Sequence, residues 1–127
     1  MNASDDLRRF LNGQLSAAEF PHREHVRMAF ELLGRHEFAE ATLHYSNALR
    51  VITSNAGHPE AFNLTITVAF LALIAERMAA GSAQDFEGFA RAHPDLFDKG
   101  LLARWYRPEQ LASALAHRTF LLPDPRA

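Results

Sequence analysis

The chain contains no cysteine. This absence excludes disulfide bonds, thiolate metal sites, cysteine-ligated iron–sulfur clusters and a cysteine nucleophile, and it fits a reducing compartment. Basic residues are also in slight deficit, with 13 Lys and Arg against 15 Asp and Glu, and they form no basic run. The sequence therefore lacks the positive surface expected of a protein that binds nucleic acid or an anionic membrane, and we expect neither partner.

Motifs that bind nucleotides or position a nucleophilic serine are missing as well. The sequence has no G-x-x-x-x-G-K or G-x-G-x-x-G loop and no G-x-S-x-G elbow. Its first residues are acidic and contain no apolar h-region, so we expect no signal peptide and a cytoplasmic protein. A length of 127 residues with 48% hydrophobic residues is typical of one globular domain. We predict a single domain over 1–127.

In one stretch of the chain, polar residues lie on the predicted buried face of a helix. Pro21 suits the first position of a helix and Gly34 the residue just past its end, which predicts a helix over 21–33. At about 100° per residue, one apolar stripe of this helix also contains His22 and His25. The stripe comprises Val26, Ala29, Phe30, Leu32 and Leu33, and the opposite face carries Arg23, Glu24, Arg27 and Glu31.

A second stretch, 62–75, is apolar on nearly every side of a helical wheel. It is shorter than the ~20 residues that a membrane-spanning helix needs, so burial by other helices explains its composition. Its β-branched residues would also suit a strand, but no second convincing strand exists to pair with it. We therefore predict a central helix at 62–80.

Two polar residues of this central helix, Asn63 and Thr67, lie on the same side as Phe70 and Ile74. They would enter the core if that side faces the helix at 21–33. The alternative for Asn63 is an N-cap, and for Thr67 a hydroxyl bonded to the carbonyl one turn earlier.

The other helices are predicted from caps, stops and apolar spacing. We predict helices at about 5–12 and 37–54, a short helix up to about 92 after a capping-box-like Ser82, an aromatic-rich segment ending at Tyr106, and a last helix that opens at Pro108. Ser16 and Glu19 have capping-box spacing, which predicts either entry into the next helix or one isolated turn.

An extended C-terminal tail is expected from about 119, with Phe120, Leu121 and Leu122 packed on the body. The predicted fold class is accordingly all-α, a single-domain bundle of five to seven helices around the central apolar helix.

The two histidines at i and i+3 could ligate one metal ion together, or one of them could act as a general base. No third ligand lies nearby in the sequence. The alternative is a structural role, in which each ring bonds a backbone carbonyl or a nearby side chain. His44, Tyr45 and Asn47 could close the same cavity, but His44 and Tyr45 point about 100° apart, so not all three can do so.

A series of motifs runs through the chain in a fixed order. It comprises Phe20-x-His22-x-x-His25, Leu49-Arg50 with Asn55 and Gly57, Phe62-Asn63-Leu64-Thr65-Ile66-Thr67, Trp105-Tyr106 and Phe120-x-x-Pro123-Asp124. This order resembles a family of small, uncharacterised bacterial helical proteins over nearly the whole chain, which implies a shared fold. In that pattern the central helix begins Tyr-His-Glu-Thr-x-Thr, so its histidine and glutamate could join the two earlier histidines as metal ligands or acid–base groups.

This chain departs from the pattern at those two positions, where Asn63 and Leu64 stand. Replacing an imidazole by a carboxamide and a carboxylate by an alkyl group removes the two strongest additional ligands. His117 also stands where the pattern has an arginine.

Three functional hypotheses follow from the sequence. The first is a small-molecule-binding protein, a degenerate relative of metal-dependent enzymes, with His22 and His25 as polar anchors and Asn63 and Thr67 as hydrogen-bonding partners. The second is an enzyme that binds a divalent metal through the two histidines and an unidentified ligand. The third is a module that self-associates into a homo-oligomer through an aromatic C-terminal surface. That surface would comprise Trp105, Tyr106 and Phe120.

Overall fold

A computed structural model describes residues 3–81 and 85–124, without the side chains of residues 3 and 4. In this part of the chain there are seven α-helices and no β-strand, which confirms the predicted all-α class. None of these helices combines the length and apolar character needed to cross a bilayer. The helices are α1 (Ala3–Leu11), α2 (His22–Arg35), α3 (Phe38–Asn55), α4 (Leu64–Ala80), α5 (Phe86–Ala92), α6 (Pro108–Leu111) and α7 (Ala114–Arg118).

Side-chain caps fix the starts of several helices. Asn63 accepts a hydrogen bond from the Ile66 amide at the start of α4, and Asp85 accepts one from Gly88 at the start of α5. Such caps pair amides that have no partner within the helix. Ser82, which the sequence suggested as a cap for α5, lies outside the described residues.

Several helix boundaries differ from the sequence prediction by one or two residues, among them the start of α4, which is Leu64 and not residue 62. α2 begins at His22 with Pro21 as its N-cap, and it continues through Gly34 to Arg35. The capping box of Ser16 and Glu19 is complete but closes only a single 3₁₀ turn, Ala17–Glu19, so the isolated turn is the correct alternative.

The C-terminal third is less helical than the apolar spacing suggested. The aromatic-rich segment forms two 3₁₀ turns, Pro94–Phe97 and Leu101–Arg104. Between them the Asp98 side chain accepts a hydrogen bond from the Gly100 amide at 2.9 Å, which offers the backbone a partner other than a helical carbonyl. The last helix is divided into α6 and α7, because Ser113 caps a new helix by accepting from Ala116.

The central helix, α4, is covered along its apolar length. Every residue from Leu64 to Ala75 is buried or half-buried, and α4 packs against α2, α3 and α7. Leu71 and Ile74 are among its fully buried residues. Burial of apolar surface contributes roughly 25 cal/mol of stabilisation per Å², and it is the main source of stability for such a helix.

The face of α2 opposite its apolar stripe is partly covered, because α1 packs against it. Met28 is fully buried, and the Arg27 guanidinium is half-buried between the carboxylates of Glu24 and Asp6, to both of which it donates. The sequence pattern missed this contact because a long arginine can bury its stem while a carboxylate pairs its charge.

Side-chain hydroxyls of the body hold the C-terminal tail, residues 119–124, through hydrogen bonds to its main chain. The hydroxyl of the fully buried Thr65 donates to the carbonyl of Thr119 at 2.7 Å and accepts from the Leu121 amide at 3.1 Å. The hydroxyl of Tyr106 donates to the carbonyl of Leu121 at 2.8 Å. The expected apolar packing of the tail is wrong for Leu122, which is 75% exposed, whereas Leu121 is half-buried and Phe120 is 39% exposed. Buried hydroxyls of the body, which require partners, fix the tail instead.

Replacing Thr65 by valine should loosen this tail. The substitution leaves the Thr119 carbonyl and the Leu121 amide without their partner, so we expect a loss of about 1–3 kcal/mol in the free energy of unfolding. Faster hydrogen exchange at Leu121 should accompany it. The matched control is Thr42→Val, because the buried Thr42 hydroxyl has no partner among the described residues and should cost little to remove. Equal losses in both variants would contradict the role of Thr65.

Candidate functional site

A cavity of about 460 Å³ lies between α2 and α4, with α3 and the segment after the Pro94–Phe97 turn completing its walls. His22, His25, Asn63 and Thr67, the four site residues suggested by the sequence, all line it. The other lining residues are Phe20, Pro21, Val26, Ala29, Tyr45, Leu49, Thr53, Ala61, Ile66, Phe70, Leu71, Ile74 and Lys99.

His22 is held by the first turn of α2 and bridges to another segment. Its Nε2 donates to the carbonyl of Leu96 at 3.0 Å, and its ring forms a T-shaped pair with that of Phe70, with centroids 5.5 Å apart. A carbonyl can only accept, so Nε2 must carry the proton and Nδ1 of the neutral ring offers a lone pair. This contact also ties the segment that carries Lys99 to α2.

His25 lies one turn later, stacked on Phe20 with the ring centroids 4.1 Å apart. The His22 ring is 6.0 Å away, also between centroids. Burial lowers the pKa of His25 to about 4, helped by the charge that His22 would carry when protonated and by Lys99, and opposed by a backbone hydrogen bond with Phe20. His25 is therefore neutral at pH 7.

Asn63 and Thr67 reach the cavity while making structural hydrogen bonds. Besides capping α4, Asn63 donates through Nδ2 to the Leu111 carbonyl at 2.8 Å. The Thr67 hydroxyl donates to the Asn63 carbonyl at 2.8 Å. The structural alternatives considered for both residues are thus present, and they fix the orientation of the polar atoms that face the cavity.

Of the three residues proposed to close the cavity from α3, only Tyr45 lines it. Its hydroxyl donates to the His25 carbonyl at 3.0 Å, and complete burial raises its pKa above the ordinary range. His44 and Asn47 are exposed, and His44 lies 3.6 Å from a Glu40 carboxylate oxygen. The prediction from helical periodicity that His44 and Tyr45 point in different directions is therefore confirmed.

Lys99 is the lining residue that the sequence analysis missed. It is exposed, as are Pro21 and Ala61, so these three residues mark the opening of the cavity. The one available signal was that Lys99 is the only lysine in the chain. Its position could not be inferred, because the His22–Leu96 contact that brings its segment to α2 joins distant parts of the sequence.

The donor set for a metal is limited to the two histidines. Among the described residues no group of three or more His, Cys, Asp or Glu side chains could hold a metal ion. Protein metal sites of the zinc type use three or four such ligands. Of the two rings, His22 already uses Nε2 for the Leu96 carbonyl, which leaves Nδ1 for any other partner.

The aromatic C-terminal surface is smaller than expected. Trp105 and Phe120 are each 39% exposed, but Tyr106 is buried and directs its hydroxyl to the tail. Tyr106 is therefore part of the core and not of a surface for self-association.

Compared with models of known protein families, with curated protein sequences and with solved structures, the chain matches none.

The buried His25 should make stability depend on pH. Its pKa is about 4 in the folded chain against an ordinary 6.5, so the unfolded chain takes up the proton first as the pH falls. The neutral His25 ring costs no stability above pH 6.5, and the free energy of unfolding falls between pH 6.5 and about 4 by a total of roughly 3 kcal/mol.

Denaturant unfolding at pH 7 and pH 4.5 measures this loss. The unmodified protein should lose more stability than His25→Phe, because the variant cannot take up the proton in its unfolded state. His58→Phe is the matched control, since the His58 side chain is 71% exposed, and it should follow the unmodified protein. Identical losses for the unmodified protein and His25→Phe would contradict the assignment.

Proposed function

We propose that this protein binds a small molecule in the cavity between α2 and α4. The observation that carries the proposal is the cavity's combination of size and lining. Its volume of about 460 Å³ falls within the ~300–1,000 Å³ common for ligand pockets, which are mostly apolar with a few placed polar groups. Buried apolar side chains such as Ala29, Leu71 and Ile74 form its inner part.

The polar groups of the cavity are held before any ligand arrives. His22 and Thr67 donate to the backbone carbonyls of Leu96 and Asn63, so their remaining capacity is that of acceptors. Groups fixed in this way lose little conformational freedom on binding, which favours affinity and selectivity. An apolar interior with a few oriented polar atoms supports the binding of a largely apolar molecule.

Ligand binding is preferred over the metal-dependent enzyme for reasons of chemistry. The two histidines have no third ligand in the described part of the chain, and Asn63 and Leu64 occupy the positions at which the resembled family pattern has histidine and glutamate. We propose that the chain is a relative of that family in which the pocket has been kept and the metal ligands have been lost.

Titration with N-phenyl-1-naphthylamine, a neutral apolar fluorophore, tests the proposal. The unmodified protein should bind the fluorophore saturably, at about one molecule per chain. Ala29→Leu places a larger side chain in the cavity and should weaken binding at least tenfold, because the free volume beside α2 is filled. Ile66→Phe should have the same effect from α4.

The matched control is Ala112→Leu, which makes the same change at an exposed position outside the cavity lining. It should leave the fluorophore affinity unchanged, and circular dichroism should confirm helical structure in every variant. Failure of the unmodified protein to bind, or equal binding by the folded Ala29→Leu and Ile66→Phe variants, would overturn the proposal.

A further inference from the structure

The cation Lys99 lies at the opening of the cavity. Lys99 lines the opening and is exposed, and within the described residues its ammonium makes no hydrogen bond or ion pair. The neighbouring Asp98 uses Oδ1 to accept from the Gly100 amide and does not line the cavity.

The walls of the cavity hold nothing that would neutralise this cation. In the part of the chain that the structure describes, no aspartate or glutamate is among the lining residues. A lone positive charge beside a low-dielectric cavity creates a local positive potential that favours an anion over a neutral or cationic group.

Most hydrogen-bond donors inside the cavity already have a partner. The donor protons of His22, Tyr45 and Thr67 are used for the carbonyls of Leu96, His25 and Asn63. An anion placed deep in the cavity would meet mainly acceptors and apolar carbon, which is costly for a charged group. The three donors of the Lys99 ammonium at the opening remain available.

We propose that the ligand is an apolar organic acid, whose hydrocarbon body occupies the cavity while its carboxylate stays at the opening beside Lys99. This inference rests on the proposed binding function and adds the chemical class of the ligand. The apolar interior binds the hydrocarbon body of the ligand by burying it. The Lys99 ammonium binds the carboxylate through an ion pair at the opening, where both charges stay in contact with water.

Two compounds with the same hydrocarbon chain, octanoate and 1-octanol, test the inference. Each is titrated into the protein loaded with N-phenyl-1-naphthylamine, and displacement of the fluorophore gives its affinity. Lys99→Gln should weaken octanoate about two- to fivefold and leave 1-octanol unchanged, because only octanoate loses an ion pair. Added salt should weaken octanoate alone. The pair 4-phenylbutyrate and 4-phenylbutan-1-ol repeats the comparison for an aromatic body, and dependence on Lys99 in either pair supports the inference.

Arg91→Gln is the matched control, because it removes one exposed positive charge outside the cavity lining. It should change neither affinity. If Lys99→Gln and Arg91→Gln weaken the acids equally, or if Lys99→Gln weakens neither acid, the carboxylate inference is overturned while the binding function stands. Failure of the fluorophore itself to bind would overturn the proposed function, and with it this inference.

Discussion

The structure depends on one constraint, which is that α4 is apolar on nearly every side and has to be covered all round. Helices α2, α3 and α7 supply this cover, so that no residue from Leu64 to Ala75 is exposed. The polar groups of α4 need partners under that cover, since buried polar groups without hydrogen bonds are costly. Thr65 finds them in the tail and Asn63 in the Leu111 carbonyl. The C-terminal region is thereby organised by the polar residues at the beginning of α4.

The cavity is the place where the cover over α4 leaves free space. Two aromatic rings, His25 and Phe20, stack against each other on its α2 side, and the Tyr45 hydroxyl fixes the backbone of His25 from α3. These contacts fix the α2 wall of the cavity relative to α3. An open cavity of about 460 Å³ framed in this way has the size and largely apolar lining common for ligand pockets, which is a reason to infer a ligand.

Much of the fold could be predicted from the sequence because the signals are local. Periodicity identified α2, α3 and α4, and the inward position of His22 and His25 followed from the same stripe. The segment between Pro94 and Tyr106 could not be predicted in this way, because an Asp98 side chain and two 3₁₀ turns replace the helix that its spacing favours. Lys99 belongs to that segment, so the cation of the site was missed with it.

For each site residue, the sequence predicted a structural hydrogen bond only as one of two alternatives, the other being contact with a ligand. A histidine on a buried helix face can donate to a carbonyl or bind a ligand, and the sequence does not show that the Leu96 carbonyl lies within reach of His22. That partner is distant in sequence, as is Thr119 for Thr65. Contacts of this kind depend on tertiary packing, whereas the helix caps of Asn63 and Asp85 depend on neighbours three residues away.

Mapping of octanoate onto the chain by ¹H–¹⁵N chemical-shift changes tests the central claim most directly, namely that the space between α2 and α4 is a ligand site. The account predicts saturable changes at amides of the residues that line the cavity, among them His25, Thr67 and Lys99, with little change in the tail at 119–124. Changes confined to exposed apolar residues such as Trp105 and Leu122, with the α2 and α4 amides unaffected, would contradict it.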